Sequence, residues 1–224
     1  MTLDAFYPFL QGRIQDPGAM EETLLRSIAA KAADSRSASA EFFAANAAAL
    51  LAAARALAEV YRGGGRLFAM GNGGSSCDAA HVAVEFSHPV TAGRPALPAT
   101  SLVADIALLS AVANDVGFEH VFVRQLVAHA RAGDALLGLS TSGNSSNLMA
   151  AFAKAREMGL ATIGLSGGDG GRMAASGLVD HCLIVASDSI HRVQEVQVAA
   201  YHVLWDLVHT LLAGTRGPSA EGAS

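Results

Sequence analysis

The chain has 224 residues, 51% of them hydrophobic and 16% charged, with a formal net charge of -5. That is enough apolar material for one domain of ordinary size plus a helical extension, and the absence of any basic run excludes nucleic acid as an expected direct ligand. Two cysteines far apart, Cys77 and Cys182, with no C-x-x-C pairing, argue against a disulfide framework or metal cage and for a reducing, cytoplasmic setting.

Residues 1 to 20 contain Pro8, Pro17 and Gly18 and read as an irregular arm. From Glu21 to Tyr61 nearly every residue is a helix former, interrupted at "DSRSASAE", where Ser39 is placed to cap a second helix that Gly63 to Gly65 end. Two helices are therefore expected before any strand. The apolar stretch "ANAAALLAAARALAEVY" carries Arg55 and Glu59 and lacks a preceding basic segment at the chain start. It reads as a packed helix, neither a signal peptide nor a membrane span.

After the glycines the period changes. The short apolar runs "RLFAM", "ATSLV", "ALLGLS", "ATIGLS" and "HCLIVA" alternate with helical segments and show no in-out polar alternation. Both traits predict parallel strands buried on two faces. The expected fold is α/β, a doubly wound parallel sheet of flavodoxin type over residues 45–214. Residues 1–44 are expected to form an arm and helix available for oligomer contacts, and residues 215–224 a disordered tail.

Ligands of such folds sit at the carboxyl ends of the strands. Three of those ends deliver "GNGGSS", "STSGNSSN" and "SGGDGG". The second is the most informative, with four hydroxyls between Ser140 and Ser145 immediately before a helix expected to begin near Ser146. Hydroxyl and backbone donors there, backed by a helix dipole, suit a phosphate without lysine or arginine. The first loop departs from G-x-G-x-x-G at Ser76, and no G-x-x-x-x-G-K-[ST] occurs, so no nucleotide cofactor is expected.

Directly behind the first loop, His81 and Glu85 stand at i and i+4 on one helical face, as Gln194 and His202 share a two-turn stripe on another helix. A carboxylate so placed can take a proton from one carbon of a ligand and return it to the neighbour, and a histidine can move protons between oxygens.

The segments "GNGGSSCDAAHVAVEF", "VANDVGFEHVFVRQ", "GDALLGLSTSGNSSN", "GGDGGRMA" and "RVQEVQVAAYH" resemble, in order and spacing, the successive motifs of the SIS (sugar isomerase) fold. Within it they resemble the phosphoheptose isomerases, which interconvert sedoheptulose 7-phosphate and D-glycero-D-manno-heptose 7-phosphate through a cis-enediol. The resemblance implies that Glu85 and His202 are the acid/base pair. It also implies that Asn72, Gly73, Gly74 and Ser75 form the first substrate loop, that Asn114 and Asp115 reach the sugar, and that Ser140, Thr141, Ser142 and Ser145 cradle the phosphate. His81, Glu85, Gln194 and His202 match the divalent-metal set, usually zinc, with Gln194 also at the substrate, although two histidines, a glutamate and a glutamine make a weak zinc site. A cytoplasmic homotetramer with sites between subunits is implied as well.

Two positions depart from the pattern: Pro89 stands where many phosphoheptose isomerases have an arginine, and His191 where an acidic or small polar residue is usual. Both bear on substrate recognition. The alternative reading is a non-catalytic SIS tetramer, a sugar-phosphate sensor or protein-binding scaffold. Such relatives lack the Glu-plus-His pair, which this sequence keeps.

Overall fold

The computed structural model describes residues 17–214; the expectations for residues 1–16 and for the tail at 215–224 lie outside them. All five apolar runs form strands: β1 (Leu67–Gly71), β2 (Ala99–Ser101), β3 (Ala135–Leu139), β4 (Ala161–Gly167) and β5 (His181–Val185). They make one parallel sheet in the order β2-β1-β3-β4-β5, with Leu67 level with Ala135, Ala135 with Ala161 and Ile163 with His181.

The helices are α1 (Pro17–Arg62), α2 (Gly74–Ser87), α3 (Ile106–Asp115), α4 (Val121–His129), α5 (Ser146–Glu157), α6 (Gly171–Ala175) and α7 (Ile190–Ala213). Side chains alternate between two buried clusters. Leu67, Ala69, Leu137 and Leu139 join residues of α1, α2 and α7 on one face, while Phe68, Met70 and Leu136 join residues of α3, α4 and α5 on the other. Because each face of the sheet is covered by helices, neither parity of the strands can be polar. That is the physical origin of the unbroken apolar runs.

One expectation fails at the N-terminal end. Where two helices and an irregular arm to residue 20 were predicted, a single helix runs from Pro17 to Arg62, and Ser39 lies within it rather than capping a new one. Proline is well suited to a first helical turn, and serine and aspartate carry only modest helix penalties when alanine-rich sequence surrounds them. By its contacts the chain divides between Ser37 and Ala38. In the first unit Leu24, Leu25 and Ile28 are exposed. In the second, the continuation of α1 buries Ala53, Ala54, Leu57 and Ala58 completely against the sheet core, so a helix that is by length and composition apolar enough to cross a membrane has this part of its apolar face occupied by protein.

The strand order decides where a site can form. The chain leaves β1 for β2 on one side, then returns to place β3 on the other, so the segments after β1 and β3 diverge and open a crevice at the carboxyl ends of these adjacent strands.

Candidate active site

Two helices begin at that crevice. Helix α2 follows β1 through Asn72 and Gly73, and α5 follows β3 through the hydroxyl-rich turn. Gly71 is required by a close approach, since a Cβ there would lie 2.2 Å from the backbone oxygen of Ser75, and Gly73 adopts φ +55 to turn the chain into α2. Helices α3 and α7 are capped by the side chains of Asp105 and Ser189, whereas the N-cap residues of α2 and α5, Gly73 and Ser145, make no side-chain cap. The two helix N-termini at the crevice therefore keep donors and positive dipole ends available to an anion.

Between them lies a cavity of about 90 Å³ lined by Asn72, Ser75, Leu139, Ser140, Thr141, Ser142 and Ser145. Six of the predicted binding residues meet there, from two loops separated by two strands and three α-helices. The turn is held by its own serines: Gly143 N–H donates to Ser140 Oγ at 3.0 Å, and Asn144 N–H to Ser142 Oγ at 3.3 Å. Asn147, buried to 1% exposure, ties the two sides together. Its amide and that of Asn72 exchange reciprocal hydrogen bonds of 2.9 Å, and its Oδ1 also accepts from Leu148 N–H at 3.0 Å.

The residues expected to act as acid and base converge independently. His81 Nε2 lies 3.1 Å from Glu85 Oε1 along α2, and His202 reaches them from α7, with ring centroids of the two histidines 5.1 Å apart. One ligand atom from each of His81, Glu85 and His202 falls within 4.8 Å of the others, a set able to hold a divalent metal. The Glu85 side chain is 19% exposed and that of His81 43%, so the carboxylate is screened while the cluster stays open to solvent. Trp205 Nε1 donates to the Glu85 carbonyl at 2.8 Å, docking the main chain of α2 onto α7.

Behind His81 stand Tyr201 and Asp78. The Tyr201 hydroxyl lies 2.8 Å from His81 Nδ1, which leaves Nε2 toward Glu85. Burial, followed by the charges of Asp78 and Glu85, holds the Tyr201 phenol above its ordinary range. Burial likewise raises the Asp78 carboxyl, opposed by His81 and by a hydrogen bond from Tyr201. Such outer partners fix the orientation of ligating histidines.

Other predicted residues are placed differently. Gly74 opens α2, and a Cβ on it would lie 2.2 Å from Gln194 Nε2, so Gln194 rests against the first turn of α2. Asn114 and Asp115 are exposed at the end of α3, where Asn114 Nδ2 donates to Asp115 Oδ1 at 2.7 Å; among the described residues neither lines the crevice cavity nor joins the histidine cluster. Pro89 lies in the connection from α2 to β2, from which Arg94 extends over the Trp205 ring at 4.5 Å and bonds Asp206 at 2.5 Å. Cys77 is exposed on α2, while burial pushes the Cys182 thiol up to about 11.

A larger cavity of about 440 Å³, lined by Glu119, Met149, Arg172 and neighbouring residues, contains none of the predicted site residues. The residues that sequence reading missed are Asn147, Gln197, Asp78 and Tyr201. All lie inside the motifs quoted above, and Gln197 sits three positions after Gln194, hence on a neighbouring stripe of the same helix.

The SIS domain family profile matches residues 32–167. A phosphoheptose isomerase from Desulfovibrio desulfuricans is 43% identical over 189 residues, 84% of this chain and 89% of that one. Among solved structures, a phosphoheptose isomerase from Neisseria gonorrhoeae superposes with a TM-score of 0.78 at 36% identity, covering 84% of this chain and 99% of that chain. One from Francisella tularensis gives 0.77 at 33% identity, covering 83% and 98%.

Proposed function

Since the chain belongs to the SIS domain family and, within it, to the phosphoheptose isomerases, we propose that it interconverts sedoheptulose 7-phosphate and D-glycero-D-manno-heptose 7-phosphate, with Glu85 as the base and His202 as its acid/base partner. The observation that carries this reading is the convergence of Glu85 and His202 from α2 and α7, helices remote in sequence, beside a separate hydroxyl-lined anion cavity.

The phosphate sits against Ser140, Thr141, Ser142 and Ser145, with the N-termini of α2 and α5 supplying further donors. Glu85 removes a proton from C1 of the ketose. The electron pair left on C1 forms the C1–C2 double bond of a cis-enediol as the C2 carbonyl oxygen gains a proton. Glu85 then returns its proton to C2 while the O1 hydroxyl loses its own, giving the aldose. His202 carries the protons between the two oxygens. C1 is oxidised from alcohol to aldehyde as C2 is reduced from ketone to alcohol, so no redox partner is needed.

His81, Glu85 and His202 fit a divalent cation by donor chemistry, because the Tyr201 contact at Nδ1 turns the other nitrogen of His81 toward the carboxylate. Gln194, against Gly74, is the fourth donor of this proposal, and zinc is the expected ion. When bound, it polarises the carbonyl and hydroxyl oxygens of the sugar.

The exposed stripe of Leu24, Leu25 and Ile28 supports an assembly that covers it, for which we expect a cytoplasmic homotetramer. Sedimentation at micromolar concentration tests this, and a stable monomer would contradict it. The activity is tested by incubating the protein with a panel of ketose and aldose phosphates in deuterium oxide. NMR should show the heptose pair interconverting with solvent deuterium at C1 or C2. Absence of turnover and of exchange on every member would overturn the enzymatic reading.

A further inference from the structure

Gln197 lies on α7 between Gln194 and His202 and is 0% exposed. Its Nε2 donates to the backbone carbonyl of Ser140 at 3.1 Å, and its Oε1 has no hydrogen-bond partner among the described residues. An amide is a costly way to fill such a place, because burying an unpaired polar atom is unfavourable and methionine would occupy similar volume without that penalty. The bond to Ser140 is the one contact that requires an amide. The carbonyl can only accept, which forces Nε2 toward it and strands Oε1.

Ser140 is the first residue of the hydroxyl-rich turn and is restrained at three atoms. Its N–H donates to Leu165 O of β4 at 3.0 Å, its Oγ accepts from Gly143 N–H, and its carbonyl accepts from Gln197. Of these three restraints, that from Gln197 alone comes from the helix bearing His202. The end of β4 packs closely against both elements: a Cβ on Gly167 would lie 2.4 Å from Thr141 O and 2.7 Å from Val193 of α7.

We infer that Gln197 is a positioning residue: through one buried hydrogen bond it fixes the phosphate end of the site onto the helix that carries His202, and so sets the separation between anion and acid/base pair. It touches neither phosphate nor sugar. The inference rests on the reading of Ser140 to Ser145 as the phosphate cradle.

The test uses the full chain with inorganic phosphate as the binding probe and sedoheptulose 7-phosphate as substrate. Gln197→Met keeps length and removes the donor. The Kd for phosphate and the KM for the sugar should rise together by roughly 5- to 50-fold, the equivalent of losing one buried bond, while kcat falls by a smaller factor. Gln197→Leu, which also offers no donor to the Ser140 carbonyl and adds no charge, should weaken phosphate binding by a similar factor, and decides the matter if the methionine variant does not fold.

A purely structural role would lower Tm and leave the phosphate Kd of the folded protein unchanged, which would overturn the inference. Ser142→Ala and Thr141→Ala serve as controls. If they weaken phosphate binding and the Gln197 variants do not, the positioning role alone fails. If they too bind phosphate like the parent, the cradle reading and the inference fall together.

Discussion

Replacing Asn147 with alanine removes three hydrogen bonds at once: the two 2.9 Å bonds exchanged with Asn72 and the 3.0 Å bond from Leu148 N–H. Asn147 is 1% exposed, so Leu148 N–H loses its partner in the interior, whereas the half-buried Asn72 amide recovers part of its loss from water. At about 0.5 to 1.5 kcal/mol for each bond, the expected destabilisation is about 2 to 4 kcal/mol. In a chain of this size that corresponds to a fall in Tm of roughly 4 to 16 °C, measurable by calorimetry or circular dichroism.

Asn147→Asp separates stability from binding. The carboxylate still accepts from Asn72 Nδ2 and Leu148 N–H, and loses only the donor to Asn72 Oδ1. Its Tm should therefore drop less than that of the alanine variant. It also places a negative charge one hydrogen bond from the cavity that Asn72 lines, so its affinity for inorganic phosphate, measured by calorimetric titration, should be the lower of the two. If Asn147→Ala melts with the parent, or Asn147→Asp binds phosphate as tightly as the parent, the account of this buried pair as the tie between the two loops is wrong.

Glu85→Gln keeps shape and hydrogen bonding but removes the base, so turnover should fall by roughly 10²- to 10⁴-fold; because Glu85 is also a candidate metal donor, metal content is measured on the same sample, and a near-parental rate would refute its role. Ser142→Ala and Thr141→Ala should each weaken phosphate binding by about 1 to 3 kcal/mol if the lost bond is buried, read as a higher KM and Kd. Asp180 gives a pH test. Burial raises its carboxyl, but the Thr162 N–H and hydroxyl and the Arg156 guanidinium outweigh it and hold the group below its ordinary value of 3.8. A depressed folded value means that the stabilisation is present above about pH 3.8 and is lost as pH falls through the folded value. The Tm advantage of the parent over Asp180→Asn should accordingly shrink in acid; an advantage that grows as pH falls would reverse the sign of the argument.

The sheet was legible before any coordinates because a strand covered by helices on both faces must be apolar at every position. "RLFAM" and "ALLGLS" could satisfy that requirement only in the interior. The candidate anion loops were legible for a related reason: glycine and serine at several strand ends are local turn chemistry, and the strand order then decides which of these loops meet. The boundary at Ser39 was misread because a capping residue is a local preference of modest size, overridden when alanine-rich sequence extends the helix through it.

The sequence by itself determined the element types, the parallel sheet and the place of Glu85, His202 and the hydroxyl turn within segments resembling SIS motifs, since each depends on residues close together in the chain. Only the tertiary structure decided that the segments after β1 and β3 face one cavity, that His202 of α7 closes on His81 and Glu85 of α2, and that Asn147 and Gln197 are the buried amides fastening these parts. The physical reason is that a buried amide is specified by one distant partner of matching donor or acceptor character. Sequence spacing records which face of a helix such a side chain occupies, and only packing brings the partner to it.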